Sequence, residues 1–224
     1  MTSGPTGAGS RGHHPRPPST EAGLFRFCPD CATPLVRVEL HGRLRPRCPS
    51  CGFIQWRNPG VGVAGIVTED ELVRLLGVPA IRAGLGDPAW EPLPARSGPA
   101  DPGRVLLVRR RASVHSGWCL PCGWVEYDEE IREALGREMR EETGLDICPG
   151  ELFAVHTNFH EPDRQSVGIW FRCVPVGGVL EAGDDADRIC FAYPGRVEVP
   201  LAFPTDRLVL ASLASDGTSA RRAP

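Results

Sequence analysis

A cluster of three glutamates on one helix, two of which turn toward its buried side, constrains this chain more than any other feature. The stretch Gly123-Trp-Val-Glu-Tyr-Asp-Glu129-Glu-Ile-Arg-Glu-Ala-Leu-Gly-Arg137-Glu138-Met-Arg-Glu141-Glu142-Thr-Gly144-Leu145 predicts a helix from about Glu129 to Thr143. Asp128 is suited as its N-cap and Gly144 as the residue that ends it. At about 100° per residue, Glu138, Glu141 and Glu142 fall within one arc of roughly 100°, with Ile131 inside it and Leu135 at its edge. A solvated charged face would place its carboxylates opposite the apolar residues, and these are not opposite. Glu138 and Glu142 are also like charges one turn apart, which destabilises a helix unless something neutralises them. Carboxylates turned inward need cations or a large rise in pKa. An oxygen-only ligand set fits a hard ion such as Mg2+ or Mn2+. Arg137 can pair with Glu129 two turns earlier or with Glu141 one turn later, and either pairing holds a carboxylate in place.

The second constraint is Cys28-Pro-Asp-Cys31, followed after sixteen residues by Cys48-Pro-Ser-Cys51. Two C-x2-C turns at this separation match a tetrahedral Zn2+ site closed by four thiolates, which is a structural site. The alternation of Leu35, Val36, Val38 and Leu40 predicts a short hairpin between the pairs. Two redox pairs are the rival reading, but neither sits at a strand-to-helix junction of thioredoxin type. Arg37, Arg43, Arg45 and Arg47 on this hairpin read as surface charge. The chain's net charge of -3 argues against nucleic acid as a partner.

The remaining organisation follows from composition and pattern. With 26 Gly and 23 Pro in 224 residues, sizeable irregular segments are expected. Residues 1–23 and 215–224 read as disordered tails, 24–57 as the zinc ribbon and 58–214 as one α/β domain. That domain carries a Pro/Gly-rich insertion at 77–103, read as a loop. Strands are expected at Val61–Val67, Arg104–Val108, Leu152–Thr157 and Val167–Val174, and a second helix at Asp206–Ala214. Cys119 and Cys122 form a third CxxC, read as two buried thiols, and Cys148, Cys173 and Cys190 as core residues. No apolar run approaches 18 residues and no signal-peptide pattern opens the sequence, so a cytoplasmic protein with no membrane partner is expected.

The pattern G-x5-E-x7-R-E-U-x-E-E-x-G-U, with U a bulky aliphatic residue, resembles the signature of Nudix hydrolases. Gly123, Glu129, Arg137, Glu138, Met139, Glu141, Glu142, Gly144 and Leu145 occupy every specified position. Trp118-Cys-Leu-Pro-Cys-Gly is similar to the W-x-L-P-G-G approach to that box, with Cys122 in place of its first glycine. Tyr127 stands where Gly is common before the acidic pair. The ribbon followed by Asn58-Pro59 resembles the subgroup with an N-terminal zinc ribbon, and the likeness covers roughly residues 25–215.

The resemblance implies an α/β/α sandwich with a mixed sheet, preceded by a small four-Cys ribbon. It implies hydrolysis of a pyrophosphate linking a nucleoside to another group, assisted by Mg2+ or Mn2+ on Glu138, Glu141 and Glu142. Glu126 would support that shell, and Gly123 and Gly144 would be backbone positions. The water would lose its proton to one of the three glutamates or to a later carboxylate, for which Glu161, Asp163, Asp184 and Asp185 are candidates. Each of these four, like His156 and His160, reads first as a residue without a catalytic role. A homodimer is common in the family.

ADP-ribose, FAD or a related ADP compound is the expected small-molecule substrate. Pro162 lies where ADP-ribose-cleaving members often have Pro, and the S-Q-P-W-P-F-type segment of NADH pyrophosphatases does not occur. Trp124, Phe159, Trp170 and Phe171 could stack an adenine, although strand aromatics usually belong to the core. A nucleoside triphosphate, including an oxidised one, is the close alternative, and NADH remains a further one. A nucleotide-sensing regulator that binds nucleic acid through the ribbon is the alternative of another class, and the complete glutamate set argues against it.

Overall fold

In a computed structural model of the protein, residues 24–87, 103–111, 116–160 and 164–219 are described. They fall into two compact units that divide between Asn58 and Pro59, with residues 164–165 grouped with the first.

The first unit is built on an antiparallel hairpin of β1 (Val36–Leu40) and β2 (Arg43–Arg47). His41 and Gly42 make its turn, both at positive φ, which suits a tight two-residue connection.

The second unit contains β3 (Gly60–Ile66), α1 (Glu69–Leu76), α2 (Val78–Leu85), β4 (Val105–Arg110), β5 (Gly117–Cys119) and β6 (Cys122–Trp124). These are followed by α3 (Ile131–Thr143), β7 (Leu145–Asn158), β8 (Ser166–Gly178), β9 (Ala186–Ala192) and α4 (Pro204–Ser219). One sheet has the order β6-β3-β8-β7 and another β5-β4-β9. The β3–β8 pair is parallel and the other pairs are antiparallel, so the sheet is mixed as expected.

Alternation along the strands produces the layers, because successive side chains point to opposite faces. Val63, Leu106, Val108, Phe171 and Cys173 pack in a core with Ala134, Leu135 and Met139 of α3. Ala64, Ile66, Val105, Leu107 and Trp170 pack in a second core with Val209, Leu210 and Leu213 of α4. The strands thus lie between two helices, the α/β/α arrangement. Each such buried aliphatic side chain stabilises the fold by about 1.5–3 kcal/mol.

Several boundaries differ from expectation. The segment after Gly77 is not irregular at its start: Val78–Leu85 is helical, with Pro79 in its first turn, where Pro loses no hydrogen bond. Residues 88–102, the rest of the expected loop, lie outside the described residues, as does the expected tail at 1–23. Helix α1 was not anticipated, although Thr68-Glu-Asp-Glu71 is a capping box. The Glu71 carboxylate accepts a hydrogen bond from the Thr68 N–H at 3.1 Å, which is how such a box starts a helix. Helix α3 begins at Ile131 with Glu130, not Asp128, as its cap. Glu130 accepts from the N–H groups of Arg132 and Glu133 at 2.7 and 3.3 Å. Helix α4 runs on to Ser219, past the expected end at Ala214.

Candidate active site

The turn between β5 and β6 faces the last two turns of α3. Glu142 is buried, and its carboxylate accepts a hydrogen bond from the Cys122 N–H at 2.8 Å. Arg110 on β4 places a guanidinium nitrogen 3.7 Å from the other Glu142 oxygen. Burial pushes the Glu142 carboxyl up to about 8 in spite of both contacts. Glu138 is largely buried, and burial raises its pKa as well, with Glu141 and Asp184 adding to the rise. Glu141 is the most exposed of the three. The inward turn of Glu138 and Glu142 read from helical spacing is therefore observed. The three are not all drawn together: Glu138 and Glu141 share Arg137, while Glu142 turns to Cys122 and Arg110.

Arg137 is saturated. Its Nε and Nη2 form a fork on Glu129, both at 2.8 Å. Nη2 also donates to the Trp124 carbonyl at 3.0 Å, and Nη1 donates to Glu138 at 2.8 Å and Glu141 at 3.1 Å. A guanidinium has five N–H donors, and five acceptors are present. Arg137 therefore positions carboxylates and has no donor left for a substrate. The fork holds the Glu129 carboxyl below its ordinary range. The Glu126 side chain is exposed. Its observed contribution is a backbone turn, with its N–H donating to Glu129 at 3.3 Å and its carbonyl accepting from the Glu129 N–H.

Two glycines are required by close approach. A Cβ on Gly123 would run into the Glu138 carboxyl group, and one on Gly144 into the Val179 carbonyl. Gly144 also sits at φ 69°, the left-handed conformation that closes α3 and that glycine adopts without steric cost.

Asp206 on α4 carries no mark in the sequence. It is buried, with its two oxygens accepting from the Leu120 N–H at 3.2 Å and the Trp170 indole N–H at 3.3 Å. Burial pushes its carboxyl up to about 7. Two carboxylates from two helices thus hold the one turn, Asp206 at Leu120 and Glu142 at Cys122. The only hint was its place near the expected start of a helix, where Asp is common.

Among the other candidates, Asp185 pairs with Arg110, and Asp184 sits at φ 49°. Glu161, Pro162 and Asp163 lie outside the described residues. His156 meets Trp170 edge-on, and His160 lies against Phe203. Trp170 and Phe171 are buried in the two cores, so neither is placed to stack a base, whereas Trp124 is exposed. Cys119 and Cys173 are buried and Cys122 and Cys190 partly so, but Cys148 is exposed. It follows a register shift in β7, and such irregularities reorient side chains.

In the first unit the four cysteines converge. The Sγ atoms of Cys28 and Cys51, and of Cys31 and Cys48, are 3.5 Å apart, and all four lie within 4.8 Å of one another. Tetrahedral Zn2+ with bonds of about 2.3 Å needs S···S separations of about 3.8 Å, so the donor set and its size fit that ion. Among the described residues this is the one such convergence of metal-ligating groups.

The site is an acid-lined helix end set against a glycine strand in an α/β/α sandwich. The particular family follows from comparison. The NUDIX domain model matches residues 99–209. The chain is 35% identical over 107 residues to the CTP pyrophosphohydrolase of Escherichia coli, covering 46% of this chain and 77% of that one. It is 40% identical over 93 residues to the ADP-ribose pyrophosphatase of Methanocaldococcus jannaschii, covering 39% of this chain and 53% of that one. A NUDIX hydrolase structure from Nitrosomonas europaea superposes with a TM-score of 0.60 at 23% identity, over 89% of this chain and 95% of that one. The chain belongs to the Nudix family. Its match spans 62% of the MutT-like protein of Streptomyces ambofaciens and, as above, about half of the Methanocaldococcus protein.

Proposed function

We propose that the protein hydrolyses the pyrophosphate bond of a nucleoside diphosphate joined to another group, with ADP-ribose or a related ADP compound as the preferred substrate. The observation that carries this reading is the intact set Glu138, Glu141 and Glu142, held by Arg137 and by the Cys122 N–H beside Gly123.

The residues fit a hard divalent cation. All three donors are carboxylates, and two of them are buried enough to be raised in pKa. A nearby positive charge would relieve that cost. Glu138, Glu141 and Glu142 would hold Mg2+ or Mn2+, which would neutralise the substrate's phosphates and acidify a bound water. Arg137 keeps Glu138 and Glu141 in place, and Glu129 keeps Arg137 in place. Gly123 leaves room for Glu138. Arg110 and the Cys122 N–H orient Glu142. The four thiols of the ribbon would hold Zn2+ with no open position, leaving it a structural role.

The likeness to the Methanocaldococcus ADP-ribose pyrophosphatase supports the ADP class. The E. coli CTP pyrophosphohydrolase, covered over more of its length, supports a nucleoside triphosphate as the second reading. Both share the scissile pyrophosphate. The test is turnover of ADP-ribose, FAD, NADH, NAD+, diadenosine polyphosphates and normal and oxidised nucleoside triphosphates, with Mg2+ or Mn2+, beside Glu141→Gln. Metal-dependent cleavage of ADP-ribose that the substitution abolishes is expected. Preference for a triphosphate would choose the second reading, and no turnover across the panel would overturn both.

A further inference from the structure

The net charge of the chain hides an uneven distribution. Residues 24–58 hold six of the 25 Arg, namely Arg26, Arg37, Arg43, Arg45, Arg47 and Arg57, but only Asp30 and Glu39 of the 28 acidic residues. Even a zinc tetrathiolate, with its charge of about -2, leaves this unit positive, while the rest of the chain is acidic.

The hairpin register gathers part of that charge onto one face. Arg47 lies opposite Val36, Arg45 opposite Val38 and Arg43 opposite Leu40. Directly opposed residues share a face, so the three arginines project from the same side, about 6.8 Å apart along β2. Glu39 alternates to the other side. The Arg47–Ile54 bridge, with the Gln55 N–H donating to the Pro46 carbonyl at 3.0 Å, carries the chain alongside β2. Trp56 then meets Arg45, whose Cζ is 4.4 Å from the ring centroid. Trp56 is 51% exposed, and Arg43 and Arg47 are exposed with no acidic partner among the described residues.

We propose that this face, with Arg43, Arg45, Arg47 and Trp56, binds single-stranded nucleic acid. Arginines alone would hold any polyanion. An exposed indole fixed by a stacked guanidinium adds a flat π-platform on which unpaired bases stack. A duplex buries its base faces in its own stack, so the platform selects a single strand. The four residues lie outside the candidate active site, and the inference does not rest on the proposed hydrolysis.

The test uses the full-length, zinc-loaded protein and fluorescein-labelled 12-nucleotide oligo(dT) and oligo(rU), read by anisotropy over a salt series. Saturable micromolar binding is expected. Arg43→Ser with Arg47→Ser should weaken it at least tenfold and lower the log–log salt slope by about 1.4, at roughly 0.7 per phosphate contact on a single strand. Trp56→Ala should weaken it about fivefold or more with the salt slope unchanged. Bound zinc and the thermal melt should be unchanged in both variants, which shows that they fold. Arg43→Gln alone serves if the double variant loses zinc. The proposal is overturned by no anisotropy change when protein is titrated far above micromolar concentration over trace labelled oligonucleotide in low salt, or by binding that neither variant alters. It is also overturned if blunt duplex DNA or phosphatidylserine vesicles bind as well as the single strand and Trp56→Ala makes no difference.

Discussion

Gly123 on β6 and Glu138 on α3 compete for one space: the carboxyl group of Glu138 occupies the position that any side chain at residue 123 would need. The glycine of the box is thus explained by a contact and not by backbone freedom. Gly123→Ala should push Glu138 aside and lower kcat by about 100-fold, the scale expected for a misplacement near 1 Å. Overpacking of this kind costs about 1–3 kcal/mol of stability. Steady-state kinetics with a thermal melt would check both, and full activity would show that Glu138 is not needed where it stands.

Arg137→Lys should keep the charge but lose the fork on Glu129, because an ammonium cannot present two parallel donors. Orienting partners of metal ligands are worth about 10–100-fold in affinity or activity. The expected result is a higher Mg2+ concentration for half-maximal rate. An unchanged Mg2+ dependence would place Arg137 outside the metal's support.

The proposed place of Glu142 among the Mg2+ ligands predicts that metal binding depends on pH. Its carboxyl titrates near 8 without a cation, so below that pH a proton must leave before it can coordinate. Mg2+ affinity should rise about tenfold per pH unit up to about pH 8 and then level off. Isothermal titration between pH 6 and 9 would show it, and Glu142→Gln should flatten the profile. A flat profile in the unmodified protein would remove Glu142 from the ligand set.

Asp206 predicts a stability slope of opposite sense to that of a salt-bridged acid. Its folded pKa of about 7 lies above the ordinary aspartate value of 3.8. Between those values the folded state holds a proton that the unfolded state has lost, so this group's contribution to stability falls as pH rises from about 4 to 7. Above the folded pKa it changes no further. In melts from pH 4 to 8, Asp206→Asn should therefore gain ground on the unmodified protein up to about pH 7. A constant difference would show that Asp206 is ionised throughout. Activity should fall in the same variant, because an amide supplies one acceptor where the Leu120 and Trp170 N–H groups need two.

Loss of the proposed Zn2+ site should be felt locally. Cys51→Ser should lower zinc stoichiometry from one to near zero, and amide exchange in the Val36–Arg47 hairpin should speed up, because closed thiolate sites supply folding energy directly. Unaltered zinc content would show that the four thiols do not form the site.

Helix α3, the convergence of the four cysteines and the placement of Glu138 and Glu142 were legible in the sequence because each is a local regularity. A 3.6-residue period decides which side of α3 a glutamate faces, and a C-x2-C turn decides that two thiols lie together. Gly144 was legible for the same reason, as a helix must end and glycine ends it without strain. The capping box at Thr68 was equally local but lay beside a Pro/Gly-rich run that obscured α1 and α2. Tertiary structure alone decided what is non-local. Asp206 reaches Leu120 across 86 positions, Arg110 reaches Glu142 across two elements, and Gly123 is a glycine because of a side chain fifteen residues away. The charge of the ribbon face belongs with these, since net charge has no direction until strand pairing sets which residues share a side.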